Sequence, residues 1–148
     1  MKDLDSTDIA IIRQLQQNGR LPVTELAHRV NLTKTPCQQR LQKLEAQGYI
    51  LGYAARVNQR KLNKAHIAFV QVTLSDTRSA ALTAFNKAVK EITEIEQCHM
   101  IAGNFDYLLK IRTADMENYR RVLGEQISAL PHVAQTSTFV AMETVKEF

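Results

Sequence analysis

The sequence holds little from which a covalent or metal-held framework could be made. It has two cysteines, Cys37 and Cys98, 61 positions apart. Two are too few for a disulfide scaffold, and their spacing is wrong for a zinc knuckle. No apolar run nears the ~18 residues of a membrane span, which argues against an integral membrane protein. The start, Met1-Lys2-Asp3-Leu4-Asp5, has no apolar stretch behind its basic residue, so it is not expected to act as a secretory signal. The expectation is a soluble, cytoplasmic protein with no cofactor and no membrane partner.

What is present fits a folded chain. The 148 residues are 45% hydrophobic, enough for one ordinary domain or two small ones and too apolar for wholesale disorder. The net charge is +4, and all of it lies in the first 60 residues, which hold nine basic and five acidic groups. The remainder is neutral. A basic head on a neutral body suits nucleic-acid binding, although chance asymmetry on a solvated surface gives the same count.

The head reads as three helices. Asp5 can cap the first, with Asp8 adding negative charge at the positive end of its dipole. Ile9, Ile12 and Leu15 follow at helical spacing, Ile11 widens the stripe, and Asn18-Gly19 ends it. A second helix runs from about Val23 to Val30, turned by Asn31, which tolerates a left-handed backbone. Thr33 caps the third, and Pro36 falls in its first turn, where a missing N–H costs nothing. Cys37, Leu41 and Leu44 make its inner stripe. Lys34, Thr35, Gln38, Gln39 and Gln42 face outward, flanked by Arg40 and Lys43.

That outer face is rich in amides and hydroxyls. Gln reads adenine edges, Thr suits several base edges, and Lys or Arg reads guanine or phosphate. On an isolated helix this would be an ordinary solvated face. Two helices joined by the tight turn Asn31-Leu32-Thr33-Lys34, with the polar face on the second, make a helix-turn-helix. The third helix closes at Gln47-Gly48, and Tyr49 to Val57 reads as a short hairpin or wing around Gly52.

Residues 56–65 read as a linker, centred on the polar run Asn58 to Lys64. Beyond it come a strand (Ile67 to Leu74), a helix (Ser79 to Ile92) and a strand (Ile95 to Ala102). Gly103-Asn104 makes a turn into another strand (Phe105 to Thr113). A helix capped by Asp115 follows, with Met116, Tyr119, Leu123, Ile127 and Leu130 inward, and then a last strand (Val133 to Val145). The order β-α-β-β-α-β is the ferredoxin-like unit. The fold expected is therefore α+β: a winged helix-turn-helix over 1–55 and a ferredoxin-like body over 66–148. Two helices cover one sheet face. The other face keeps apolar groups, and a second subunit packed sheet to sheet would cover them as a two-fold dimer.

The ordered set of motifs resembles the leucine-responsive regulatory protein/AsnC (Lrp/AsnC) family of prokaryotic transcription regulators. In the head it is carried by Leu4-Asp5, Asp8, Gly19-Arg20, Glu25-Leu26-Ala27, Leu32-Thr33-Lys34-Thr35-Pro36-Cys37, Arg40-Leu41 and Gly48-Tyr49-Ile50. In the body it is carried by Gly103-Asn104-Phe105-Asp106-Tyr107, Leu130-Pro131 and Phe139-Val140-Ala141-Met142-Glu143. The resemblance implies a regulator of transcription that binds double-stranded DNA. It also implies an amino-acid effector and homodimers that assemble further, up to octamers. By position it puts the effector at Gly103, Asn104 and Asp106, with Thr136 and Thr138 as weaker candidates. Asp106 would pair with the effector's ammonium, and the N–H groups of Gly103 and Asn104 would take its carboxylate. A plain turn residue satisfying backbone N–H groups is the other account of Asp106. Asn31, Pro22 and Asn104 depart from the family pattern, the last by removing an acid beside the effector loop.

Two rival readings are weaker. An enzyme would need a catalytic set, yet Glu91, Glu94 and Glu96 suit a solvated helix end, and Cys98 and His99 point to opposite faces of a strand. His28, His66 and His132 lack ligand partners in sequence, so no metal site is expected. A head that binds protein instead of DNA would want aromatic or leucine anchors where this chain has Gln, Thr and Lys. In the DNA reading, Lys34, Thr35, Gln38 and Gln39 contact bases, and Arg40, Lys43, Arg56 and Arg60 neutralise phosphates.

Overall fold

The computed structural model describes residues 4–147; Met1–Asp3 and Phe148, which the expectations above also touch, lie outside the described residues. The chain divides into two compact units, Met1–Val57 and Asn58–Phe148.

In the first unit α1 (Ser6–Gln17) begins with a reciprocal cap. The Asp5 carboxylate accepts from Asp8 N at 2.8 Å, and the Asp8 carboxylate accepts from Asp5 N at 3.3 Å, so two orphan N–H groups are satisfied together. Ile11, expected only to widen the stripe, is instead its fully buried centre, and Ile9, Ile12 and Leu15 are half-buried beside it. α2 (Val23–Arg29) starts after Pro22 with no side-chain cap. It closes with Asn31 at φ 56°, Leu32 N donating to Ala27 O and Asn31 N to His28 O. α3 (Lys34–Ala46) closes the same way around Gly48 at φ 74°, with Tyr49 N on Leu44 O. Both ends need a left-handed residue, and Asn and Gly supply it.

Two expectations for this unit are corrected. Thr33 takes the N-cap position of α3 but makes no side-chain cap bond. Residues 51–57 form no strand, so the hairpin around Gly52 is absent. A lone strand gains nothing without a partner. Instead the Tyr53 hydroxyl donates to Glu45 Oε1 of α3 at 2.8 Å. Burial and that carboxylate push the phenol's pKa up to about 12. The core is Ile11, Leu21, Leu26, Ala27, Cys37 and Leu44.

The second unit opens with a turn over residues 58–64, where Asn58 Oδ1 accepts from Lys61 N. A four-stranded antiparallel sheet follows, in the order β2-β3-β1-β4. Its strands are β1 (His66–Leu74), β2 (Ile95–Met100), β3 (Tyr107–Thr113) and β4 (Val133–Val140). α4 (Ser79–Val89) joins β1 to β2, and α5 (Met116–Val122) runs into a π turn over Leu123–Ile127 before β4. Ala68, Val70 and Val72 alternate inward with Tyr107, Leu109 and Ile111 of the paired strand. Phe85 of α4 lies against Tyr107 with ring centroids 4.3 Å apart, and Tyr119 and Val122 of α5 complete the core.

Several element ends differ from the sequence reading. α4 stops at Val89, three residues early, and Ile92 is buried from a following turn. Met116 is 53% exposed, not inward. Helical side chains lean toward the N-terminus, so a first-turn residue points past the helix it starts. β4 ends at Val140 instead of Val145, because β1, its partner, has run out: Ala141 N donates to Ile67 O as the last rung. The residues beyond do not extend the sheet. Glu147 reaches the sheet face opposite the helices and pairs with Lys110 at 2.7 Å and with Arg112. Glu96 pairs with the same two cations. On that face Phe69 and Phe139 are paired across strands and 36% and 53% exposed.

Asp5, Asp76 and Asp115 each hold a carboxyl below the ordinary aspartate value of 3.8. The causes are the Asp8 N–H and then Arg40 for the first, Arg78 for the second and the Asn118 N–H for the third. A carboxyl lowered on folding stabilises the fold above its unfolded pKa, and that contribution is lost as pH falls through the lowered value. Melting temperatures followed by circular dichroism should therefore hold near neutral pH and fall below about pH 4. A midpoint that stays constant under further acidification would contradict these contacts.

Candidate nucleic-acid interface and effector loop

α3 presents the face expected of it. Lys34, Thr35, Gln38, Gln39, Gln42 and Lys43 are all exposed, while Cys37 and Leu44 are buried beneath them. Between the α2 closure at Asn31 and the start of α3 the chain takes only a tight turn, so the two helices keep a fixed relation and the polar face stands clear.

Arg40 is different. Its side chain is 35% exposed, and its Nη1 donates to Asp5 Oδ2 at 2.6 Å and to Asp8 Oδ1 at 2.8 Å. The guanidinium is already neutralised by two carboxylates, Asp5 at the cap of α1 and Asp8 in its first turn. Nothing local announced this pair, since 35 and 32 residues separate the partners. Arg56 lies in the irregular segment after α3, along a groove that includes Arg20 and Tyr53.

The body gathers some of the effector candidates and separates others. Gly103 and Asn104 are exposed in the turn that enters β3. Asp106 follows, with its N–H on Val72 O at 2.9 Å and its Oδ2 accepting from Leu74 N at 2.7 Å. One carboxylate oxygen is thus held by the end of β1, as a turn residue's would be, and among the described residues the other has no hydrogen-bond partner. Thr136 pairs with Val72 from the opposite side of β1, so it stands two strand spacings, about 10 Å, from Asp106. Thr138 sits one rung further, and its hydroxyl is bonded to the Tyr119 hydroxyl against α5. Within one subunit these two threonines do not share a cradle with the turn.

A helix-turn-helix head with an open amide face, joined to a ferredoxin-like body, defines a two-domain DNA-binding regulator of transcription. The comparisons with known proteins agree in both halves. Residues 4–50 match the winged helix-turn-helix DNA-binding model, and residues 67–148 match the Lrp/AsnC ligand binding domain. The chain belongs to the Lrp/AsnC family. It is 59% identical to a proline dehydrogenase transcriptional activator of Rhizobium radiobacter over 98% of this chain and 93% of that one. It is 45% identical to the leucine-responsive regulatory protein of Escherichia coli over 99% of this chain and 89% of that one. Its fold superposes with a TM-score of 0.91 on a transcriptional regulator of Neisseria meningitidis solved with L-Met, at 31% identity, covering 97% and 93% of the two chains. These relatives are regulators of transcription. Among the described residues no helix is long and apolar enough to cross a membrane.

Proposed function

We propose that this chain reads a pseudo-palindromic operator as a homodimer that assembles further, and that a free amino acid tunes the reading. The exposed amide face of α3 carries this reading. Lys34, Thr35, Gln38 and Gln39 meet base edges in the major groove, and Lys43 and Arg56 neutralise phosphates. Arg40, neutralised within the head, leaves the phosphate set. DNA as partner puts the protein's work in the cytoplasm of a prokaryotic cell, and no chemistry beyond binding is assigned to it.

The effector contacts are the N–H groups of Gly103 and Asn104 and the remaining oxygen of Asp106. A neighbouring subunit completes the cradle, since Thr136 stands too far away within one chain and Thr138 is committed to Tyr119. The effector acts by binding one assembly state better than another. Two relatives above half identity are activators of proline dehydrogenase transcription. By that likeness the controlled gene encodes an enzyme of proline breakdown, and proline is the first amino acid to test.

Fluorescence anisotropy on a duplex selected by the protein from a random pool tests the reading. Gln38→Ala should cost about 1–3 kcal/mol at a single base pair and leave other positions alone. Lys43→Ala should weaken all duplexes alike and lower the salt slope by about 0.9. A head that binds protein would select no duplex at all. An amino-acid panel that shifts neither operator affinity nor assembly mass would remove the sensor.

A further inference from the structure

α3 is seated by very little apolar surface. Of its 13 residues only Cys37 and Leu44 are buried. With Leu41 half-buried beside them, three apolar contacts on one stripe set the distance of the helix from its neighbours. They define its rotation weakly, because apolar burial is non-directional. The first turn adds nothing, since it has neither a side-chain cap nor an acidic residue. Rotation matters here: about 20° moves a side-chain tip some 6 Å from the axis by about 2 Å. That exceeds the range over which a hydrogen bond to a base edge survives.

Side-chain bonds reach α3 from elsewhere in the head at its last turn and at its middle. At the last turn Tyr53 bonds to Glu45. At the middle is the pair of ionic bonds from Arg40, one residue from Gln39. The anchor for Arg40 is unusually firm. Asp8 is 6% exposed and is the one buried carboxylate among the described residues. Its Oδ1 faces Arg40 and its Oδ2 faces the Asp5 N–H, so it cannot swing without opening the start of α1. A buried carboxylate stripped of its cation is costly, which keeps the pair closed.

We propose that Asp8, seconded by Asp5, is a positioning residue for DNA reading: through the Arg40 guanidinium it fixes the rotation of α3 so that Thr35, Gln38 and Gln39 meet the base edges. The proposal rests on the reading of α3 as the base-reading helix. It makes sequence preference depend on an acid in the first helix that touches no DNA. The competing account has Arg40 leave the acids for a phosphate, in which case Asp5 and Asp8 only restrain DNA affinity.

Removing the acids separates the two. Asp8→Asn, and Asp5→Asn, which keeps a good cap, are made in the full chain. They are titrated by anisotropy against the selected duplex and a scrambled one over a range of salt. Asp8→Asn is expected to lose roughly tenfold in the preference for the selected duplex, with scrambled-duplex affinity and salt slope unchanged. Asp5→Asn should lose less. Should Asp8→Asn fail to fold, as circular dichroism will show, Arg40→Lys takes its place. Lysine keeps the charge but cannot span two carboxylates with one planar group, and it should lose preference in the same way. Unchanged preference in the folded variants would overturn the proposal. So would tighter scrambled-duplex binding with a slope steeper by about 0.9, the mark of a released phosphate contact. Gln38→Ala is the control. If it lowers preference where Asp8→Asn and Arg40→Lys do not, only the positioning role falls. If it too has no effect, the reading of α3 falls and takes this proposal with it.

Discussion

Leu26→Ala should unfold the head and abolish operator binding while the body stays folded. Leu26 is fully buried in a core with six buried members among the described residues. Truncating a buried leucine costs about 2–5 kcal/mol, the transfer term plus the cavity left behind. The head unit ends at Val57, and a domain of that size has roughly 3–8 kcal/mol to lose. One side chain therefore removes most of its margin. Hydrogen exchange read by mass spectrometry should show fast exchange confined to residues 4–57. If both units destabilised together, the division into two independent cores would be wrong.

Phe85→Ala should do the reverse. Phe85 is fully buried and meets the Tyr107 ring at 4.3 Å. The Tyr107 hydroxyl in turn donates to Asn86 Oδ1 at 2.8 Å. These contacts hold α4 on the sheet at the strand where the Gly103–Asp106 turn enters. Their loss should cost about 3–5 kcal/mol, which lowers the melting temperature of the body by at least about 12 °C. The amino-acid response and the assembly should go with it, leaving a head that binds DNA weakly as a single unit. Calorimetry and sedimentation velocity on the same sample would check this. Retained assembly with an unmoved melting temperature would show that α4 is not the clamp.

The features read from the sequence are those with a local physical cause. Asp5 caps because acid side chains accept from free N–H groups. Asn31 takes φ 56° because α2 closes there. The strand-helix alternation gave the ferredoxin-like order, and the outward amide face of α3 followed from its periodicity alone. What escaped depends on partners distant in sequence. The Arg40 bridge spans more than thirty residues. β4 is only as long as the strand beside it, so the apolar run to Val145 misled. The Tyr119–Thr138 contact engages a threonine hydroxyl of the expected effector set within its own subunit, and no pattern along the chain marks it. Asp106 was legible as a turn residue, but only the structure shows that one of its oxygens is held by Leu74 N.

The π turn in the second crossover has a consequence for how that segment can change. Buried side chains sit at Tyr119 and Val122 before it and at Ile127 and Leu130 after it. Five ordinary helical steps from Val122 would carry Ile127 about 140° around the axis and out of the core. The bond from Ser128 N to Leu123 O, at 2.9 Å, closes a wider loop that absorbs one residue. The two halves of the helix are thereby decoupled in phase. The Asp115 cap orients the first, and the approach to Pro131 and β4 orients the second. The crossover carries one residue of slack, so it can be shortened by one at Gly124 without turning either half away from the sheet.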